Sequence, residues 1–118
     1  MGQNSPSIAA LRKAVETRDS KTMKGFYAAD AVLTVIDSDN PPSRPRTIKG
    51  ASAIGSFYDD VCGRDMTHKL EFGALEGRHL AFVQGCAYPD GTRVVASSTA
   101  ELGPDGIVKQ TTVQAWDH

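Results

Sequence analysis

With 118 residues, 40% of them hydrophobic and 23% charged, the chain is sized for one domain, residues 1–118, around a single core. A net charge of -1 and a pI near 6.3 exclude the clustered basic surface that nucleic-acid binding requires. No stretch nears the roughly 20 apolar residues of a membrane span. Met1 to Pro6 lacks the basic start and apolar run of a signal peptide, so a cytoplasmic protein is expected.

Ser5-Pro6 reads as a helix start, with Ser5 as N-cap and Pro6 in the first turn. Ile8, Leu11 and Val15 then recur at helical spacing, widened by Ala9, Ala10 and Ala14. Asp19 or Ser20 caps a second, shorter helix whose apolar face is Met23, Phe26 and Tyr27. Val32 to Ile36 is a β-branched strand. From Asp37 to Arg46 the chain is rich in turn formers, including Pro41, Pro42 and Pro45, and reads as a loop. Thr47 to Lys49 forms a short strand, and Gly50 leads into a third helix with Ile54, Phe57, Tyr58 and Val61 on one stripe, ended by Gly63.

The remainder reads as a meander of four strands: Met66 to Leu75, His79 to Tyr88, Thr92 to Leu102 and Ile107 to Trp116. Their links, Glu76-Gly77-Arg78, Pro89-Asp90-Gly91 and Gly103-Pro104-Asp105-Gly106, are short and force antiparallel neighbours. In the third of these strands one parity is Val94, Ala96, Ser98, Ala100 and Leu102, the other Arg93, Val95, Ser97, Thr99 and Glu101. Neither parity is plainly solvent-facing. Helices over one face and a second subunit over the other would account for that, which predicts a homodimer through the outer sheet face. Small residues on a partly wet face are the alternative.

The run Asp19, Met23, Phe26 to Val32, then Lys49-Gly50-Ala51-Ser52-Ala53-Ile54-Gly55-Ser56-Phe57-Tyr58, then a meander ending Val113-Gln114-Ala115-Trp116-Asp117, resembles the nuclear transport factor 2-like superfamily. Within it the chain is similar to the compact bacterial SnoaL-like branch. The resemblance implies an α+β, cystatin-like cone: three N-terminal helices packed on a strongly curved, mostly antiparallel sheet. That superfamily includes ketosteroid isomerases, epoxide hydrolases, polyketide cyclases, dehydratases and non-catalytic association domains, so fold alone does not choose an activity. Where the isomerases place a Tyr on the first helix and an acidic residue late in the sheet, this chain has Leu11 and Thr99. The general-base Asp of that family falls near Val35, and Asp37 replaces it only after a shift of two residues. Steroid isomerase chemistry is not expected, and neither is the Arg-flanked Asp pair of the limonene-epoxide-hydrolase type.

Two groups are candidates for proton transfer. Asp37 follows an apolar strand and can face the mouth of the cone as a general base, or it can open an Asx-type turn with Ser38 and Asp39. His68 shares its parity with Met66, Leu70 and Phe72, so it faces the apolar side either as a proton shuttle or as a core histidine satisfied by a backbone carbonyl. His79 and His118 read as solvated and terminal. Tyr58, Gln84, Thr99, Gln110 and Trp116 are the candidate substrate contacts. Gln84, Gln110, Thr112 and Gln114 are unusual for interior strands, and buried amides need a partner from a ligand or from a dimer mate.

Tyr27 and Tyr58 are expected to pack from helix faces, with Tyr58 closing the cone. Cys62 and Cys86 read as free thiols, a single bridge between them being the alternative. Three scattered histidines and two distant cysteines give no metal-ligand spacing, and no phosphate loop or nucleophile elbow occurs. The leading expectation is a small-molecule pocket protein for an apolar or amphipathic ligand: an isomerase, cyclase or hydrolase using acid–base chemistry without a cofactor. The alternative is a non-catalytic binding or association domain. A polar-dotted cavity of roughly 300 Å³ or more favours the first, a closed dry interior the second.

Overall fold

The computed structural model describes residues 6–116. In chain order it contains α1 (Ile8–Glu16), α2 (Ser20–Gly25), β1 (Tyr27–Ile36), β2 (Arg46–Lys49), α3 (Ala51–Gly63), β3 (Thr67–Glu76), β4 (His79–Ala87), β5 (Arg93–Gly103) and β6 (Gly106–Trp116). The strands form one sheet in the order β2-β1-β6-β5-β4-β3. Every pairing is antiparallel except β1 with β6, which is parallel. The expected α+β architecture, with three helices on a mostly antiparallel sheet, is the one observed.

The helices begin where side chains can satisfy free backbone donors. Ser7 caps α1 by accepting a hydrogen bond from the Ala10 amide at 3.1 Å; the expected cap, Ser5, lies outside the described residues. Asp19 caps α2, accepting from the Thr22 amide at 3.1 Å and the Thr22 hydroxyl at 2.6 Å. Those bonds favour the carboxylate and hold its pKa below the ordinary value. Gly50 precedes α3 with φ at 91°, a conformation that side-chain-bearing residues rarely adopt, while its amide donates to the Ala31 carbonyl at 2.8 Å.

β1 starts five residues before the β-branched run predicts. Tyr27, expected on a helix, is instead the first residue of β1. α2 is only six residues long, and the chain turns extended once Phe26 has closed it. Gly106, with φ at 119°, makes this junction tight: a Cβ there would lie 2.5 Å from the Phe26 carbonyl oxygen, which accepts the Ile107 amide at 2.8 Å. The β1–β6 register is irregular between Tyr27 and Val32, and further irregularities interrupt β3 between Leu70 and Phe72 and β5 between Glu101 and Leu102. Bulges of this kind bend strands and increase their twist.

Leu11 and Val15 of α1, Met23 of α2 and Ile54 of α3 meet Leu33, Leu80, Phe82 and Ile107 of the sheet in one buried core. Each such side chain contributes about 1.5–3 kcal/mol through burial. Toward the far ends of β3 to β6 this core gives way to a smaller cluster of Met66, Cys86 and Val94, packed against Tyr88 and Trp116. β5 alternates cleanly, with Val94, Ala96, Ser98, Ala100 and Leu102 buried and Arg93, Val95, Ser97, Thr99 and Glu101 exposed. The sequence looked two-sided because Ser98 is polar yet buried, while Val95 is apolar yet 47% exposed.

Candidate functional site

Between α3 and the inner face of β3 to β6 lies a cavity of about 50 Å³. Phe57, Tyr58, Val61 and Arg64 line it from the helix side, and Met66, His68, Gln84, Cys86, Val94, Ala96, Thr112, Gln114 and Trp116 from the sheet side. A hollow of about 20 Å³ continues inward past Tyr58, His68 and Gln84 to Val15, Met23 and Cys62. Together they have room for a few water molecules. The volume is well below the roughly 300 Å³ set for a ligand site, and on that criterion the closed form favours an association domain; the indole of Trp116, stacked on Tyr88 with centroids 5.8 Å apart, forms part of the wall.

Four of the expected site residues, Tyr58, His68, Gln84 and Trp116, are brought together on this wall. Two are not. Thr99 points to the outer face, in an open surface depression of about 320 Å³ with His79 and Lys109; the inward position of that strand belongs to its neighbour Ser98. Asp37 turns its carboxylate onto its own loop, where Oδ1 accepts from the amides of Asp39 and Asn40 at 2.9 Å each and from the Asn40 side-chain amide at 2.8 Å. It is an Asx turn that ends β1, and it does not line the cavity.

Gln110 is 1% exposed and lies behind the cavity in a closed network. The Tyr27 hydroxyl donates to Gln110 Oε1 at 2.6 Å and lies 2.6 Å from the Tyr58 hydroxyl. With the Tyr27 proton committed to Gln110, the Tyr58 hydroxyl is the donor in that second contact. The Gln110 amide in turn donates to Thr112 Oγ1 at 3.0 Å, and the Ser98 and Thr112 hydroxyls are 2.8 Å apart. Burial raises the pKa of both tyrosines, Tyr27 most, so neither gives up its proton near neutrality.

His68 is different. It is 9% exposed, and its Nδ1 lies 3.1 Å from Cys86 Sγ, its direct partner across the β3–β4 ladder. Its Nε2 is buried without a hydrogen bond. Burial, then the nearby charge of Arg18, lowers its pKa below 6.5, with Arg64 adding to the effect. The Val61 carbonyl pulls the other way but forms no bond of proper geometry with Nε2, so the ring is neutral at pH 7. The two arginines are held in place. Arg18 donates to the Arg64 carbonyl at 2.7 Å, and Arg64 pairs with Asp60 at 2.7 Å. Burial pushes the Cys86 thiol up to about 11, and both cysteines are free, which removes the bridged alternative.

Sequence reasoning missed Cys86 as a polar partner and missed Arg64 at the mouth. The only signal available was the shared parity of His68 and Cys86 on adjacent strands, and the register that makes them opposite is set by the hairpin. Gln114, flagged as unusual for a strand interior, does line the cavity.

No family model matches the sequence, and no curated protein matches it. Solved structures do. A nuclear transport factor 2-like protein of unknown function from Mesorhizobium loti superposes with a TM-score of 0.76 at 14% identity, covering 92% of this chain and 87% of that one. The likeness shows the fold: this chain has the nuclear transport factor 2-like architecture, and a protein described as having a cystatin-like fold, from Silicibacter pomeroyi, matches at a TM-score of 0.73 with 17% identity, over 98% of this chain and 77% of that one. Among the other similar structures is IdmH of Streptomyces antibioticus, described as a proposed polyketide cyclase, with a TM-score of 0.65 at 21% identity over 95% of this chain and 91% of that one. Among the described residues, no helix is long and apolar enough to cross a membrane.

Proposed function

We propose that this protein is a SnoaL-like pocket protein that binds a small amphipathic molecule between α3 and the inner sheet face, with His68 as the side chain that meets the ligand's polar atom and no cofactor. The observation that carries the reading is His68 Nε2, buried without a hydrogen bond in a wall where Gln84, Thr112 and Gln114 stand among apolar side chains. A buried ring nitrogen without a partner costs about 1–3 kcal/mol, a cost that a bound ligand's polar atom would remove. The fold shared with a proposed polyketide cyclase supports the reading as analogy. Because the hollow holds only water in its closed form, entry requires Trp116 to swing off Tyr88. Free thiols at Cys62 and Cys86 accord with a reducing cytoplasm, the compartment we propose for it.

Trp116 is the only tryptophan, so it reports the event directly. Acetophenone, a ring with one acceptor oxygen, is expected to quench it saturably and to shift the backbone amides of Gln84, Val94 and Ala96. Shifts confined to the outer sheet face, or no saturation up to the solubility limit, would overturn the reading.

A second reading, a homodimer through the outer face, is favoured by Val95 and Val113, exposed at 47% and 45% on adjacent strands. Its test is the mass in solution by light scattering. A dimer that Val95→Lys converts to monomer supports it, and a monomer at all concentrations removes it.

A further inference from the structure

We propose that Cys86 fixes His68 as its Nε2–H tautomer, so that the cavity presents a hydrogen-bond donor and selects ligands carrying a carbonyl oxygen. The inference rests on the pocket reading above and specifies the chemistry of the same site.

One proton is shared across the 3.1 Å contact between His68 Nδ1 and Cys86 Sγ. A neutral imidazole nitrogen is a much better acceptor than a neutral thiol sulfur. The thiol keeps its proton at pH 7, since burial alone has pushed it up to about 11. The arrangement that satisfies both atoms is therefore S–H donating to Nδ1, which leaves the ring proton of the neutral histidine on Nε2. The Val61 carbonyl beside the ring also favours a protonated nitrogen. Nε2–H is then a buried donor, on the ring edge away from Cys86, that makes no bond of proper geometry even with the nearby Val61 carbonyl.

The partner it lacks is an oxygen lone pair. A carbonyl fits best, because burial above all, with the charges of Arg18 and Arg64 adding to it, keeps the ring neutral, so it cannot offer the full charge that a carboxylate would pair with. The Tyr58 hydroxyl cannot supply a competing donor, since its proton goes to Tyr27. A neutral imidazole N–H against a carbonyl oxygen forms a hydrogen bond that an alkyl group in the same place cannot, with no proton transferred. Cys86 is a positioning residue in this scheme, and His68 is the one that touches the ligand.

Two measurements test it. In the ligand-free protein, long-range nitrogen–proton correlations of the His68 ring should show the Nε2–H tautomer; the Nδ1–H tautomer would overturn the proposal. Acetophenone and ethylbenzene, matched in shape and differing by the carbonyl oxygen, are then titrated against Trp116. The ketone should bind at least about fivefold more tightly, a preference that His68→Phe abolishes. Equal binding of the two compounds sinks the carbonyl selection while leaving the pocket intact. Failure of both to bind sinks the pocket reading and the proposal with it. Should His68→Phe not fold, Cys86→Ala serves: it should move the ring to a mixture of tautomers and reduce the ketone preference, and an unchanged tautomer would overturn the role of the thiol.

Discussion

Two groups of buried polar side chains lie within one fold, and they are finished to different degrees. Around Tyr27, Tyr58, Gln110, Ser98 and Thr112, each side-chain polar atom has a hydrogen-bond partner within the protein. At the His68–Cys86 pair one ring nitrogen is left over. A closed network stabilises a fold by fixing its register. An open valence in the same low-dielectric interior costs stability unless something else fills it, and that asymmetry points to where a ligand would act.

The largest effect is expected from removing a member of the closed network. Gln110→Leu strands the Tyr27 hydroxyl and removes the amide from Thr112, so we expect a loss of about 2–3 kcal/mol in urea unfolding. If the closed network were as dispensable as the open pair, that substitution would be neutral. His68→Leu is the counterpart: it deletes a group that is already unsatisfied, and stability at pH 7 should be unchanged or higher by about 1 kcal/mol.

Acidification sharpens the contrast. The folded His68 ring has its pKa below the ordinary 6.5, so the unfolded chain takes up the proton first as pH falls. Stability from the neutral ring is whole above about 6.5 and is lost as pH falls toward the folded value. The difference in stability between the wild type and His68→Leu should therefore change in this window and be flat above it. A pH-independent difference would mean that the ring is not buried neutral. The smallest effect belongs to Asp37→Asn. The asparagine carbonyl can accept the same amide bonds, so stability should move by less than about 0.5 kcal/mol and acetophenone binding should not change. A large loss of binding would return Asp37 to the site.

Much of this was legible in order and pattern. The Gly50 break before α3 and the three hairpin links are local signals, and each sits where the sequence implied. Tyr27 was misplaced because aromatic spacing after Met23 suits a helix, while the six-residue α2 ends before it. Thr99 was misplaced by one residue of parity, which on a strand exchanges inside for outside. Asp37 could be read as base or turn because both need a carboxylate after a strand. The Asn40 amide three residues on decided in favour of the turn.

By itself, the sequence determined the element order, the short links and the apolar residues that drive the helices onto one sheet face, since these depend on neighbours a few residues apart. Tertiary structure alone decided that β1 lies parallel to β6, that Gln110 meets Tyr27, and that Cys86 stands opposite His68. Those pairings join residues 18 to 83 positions apart, and which partner a buried polar atom finds depends on register and burial that local pattern does not encode.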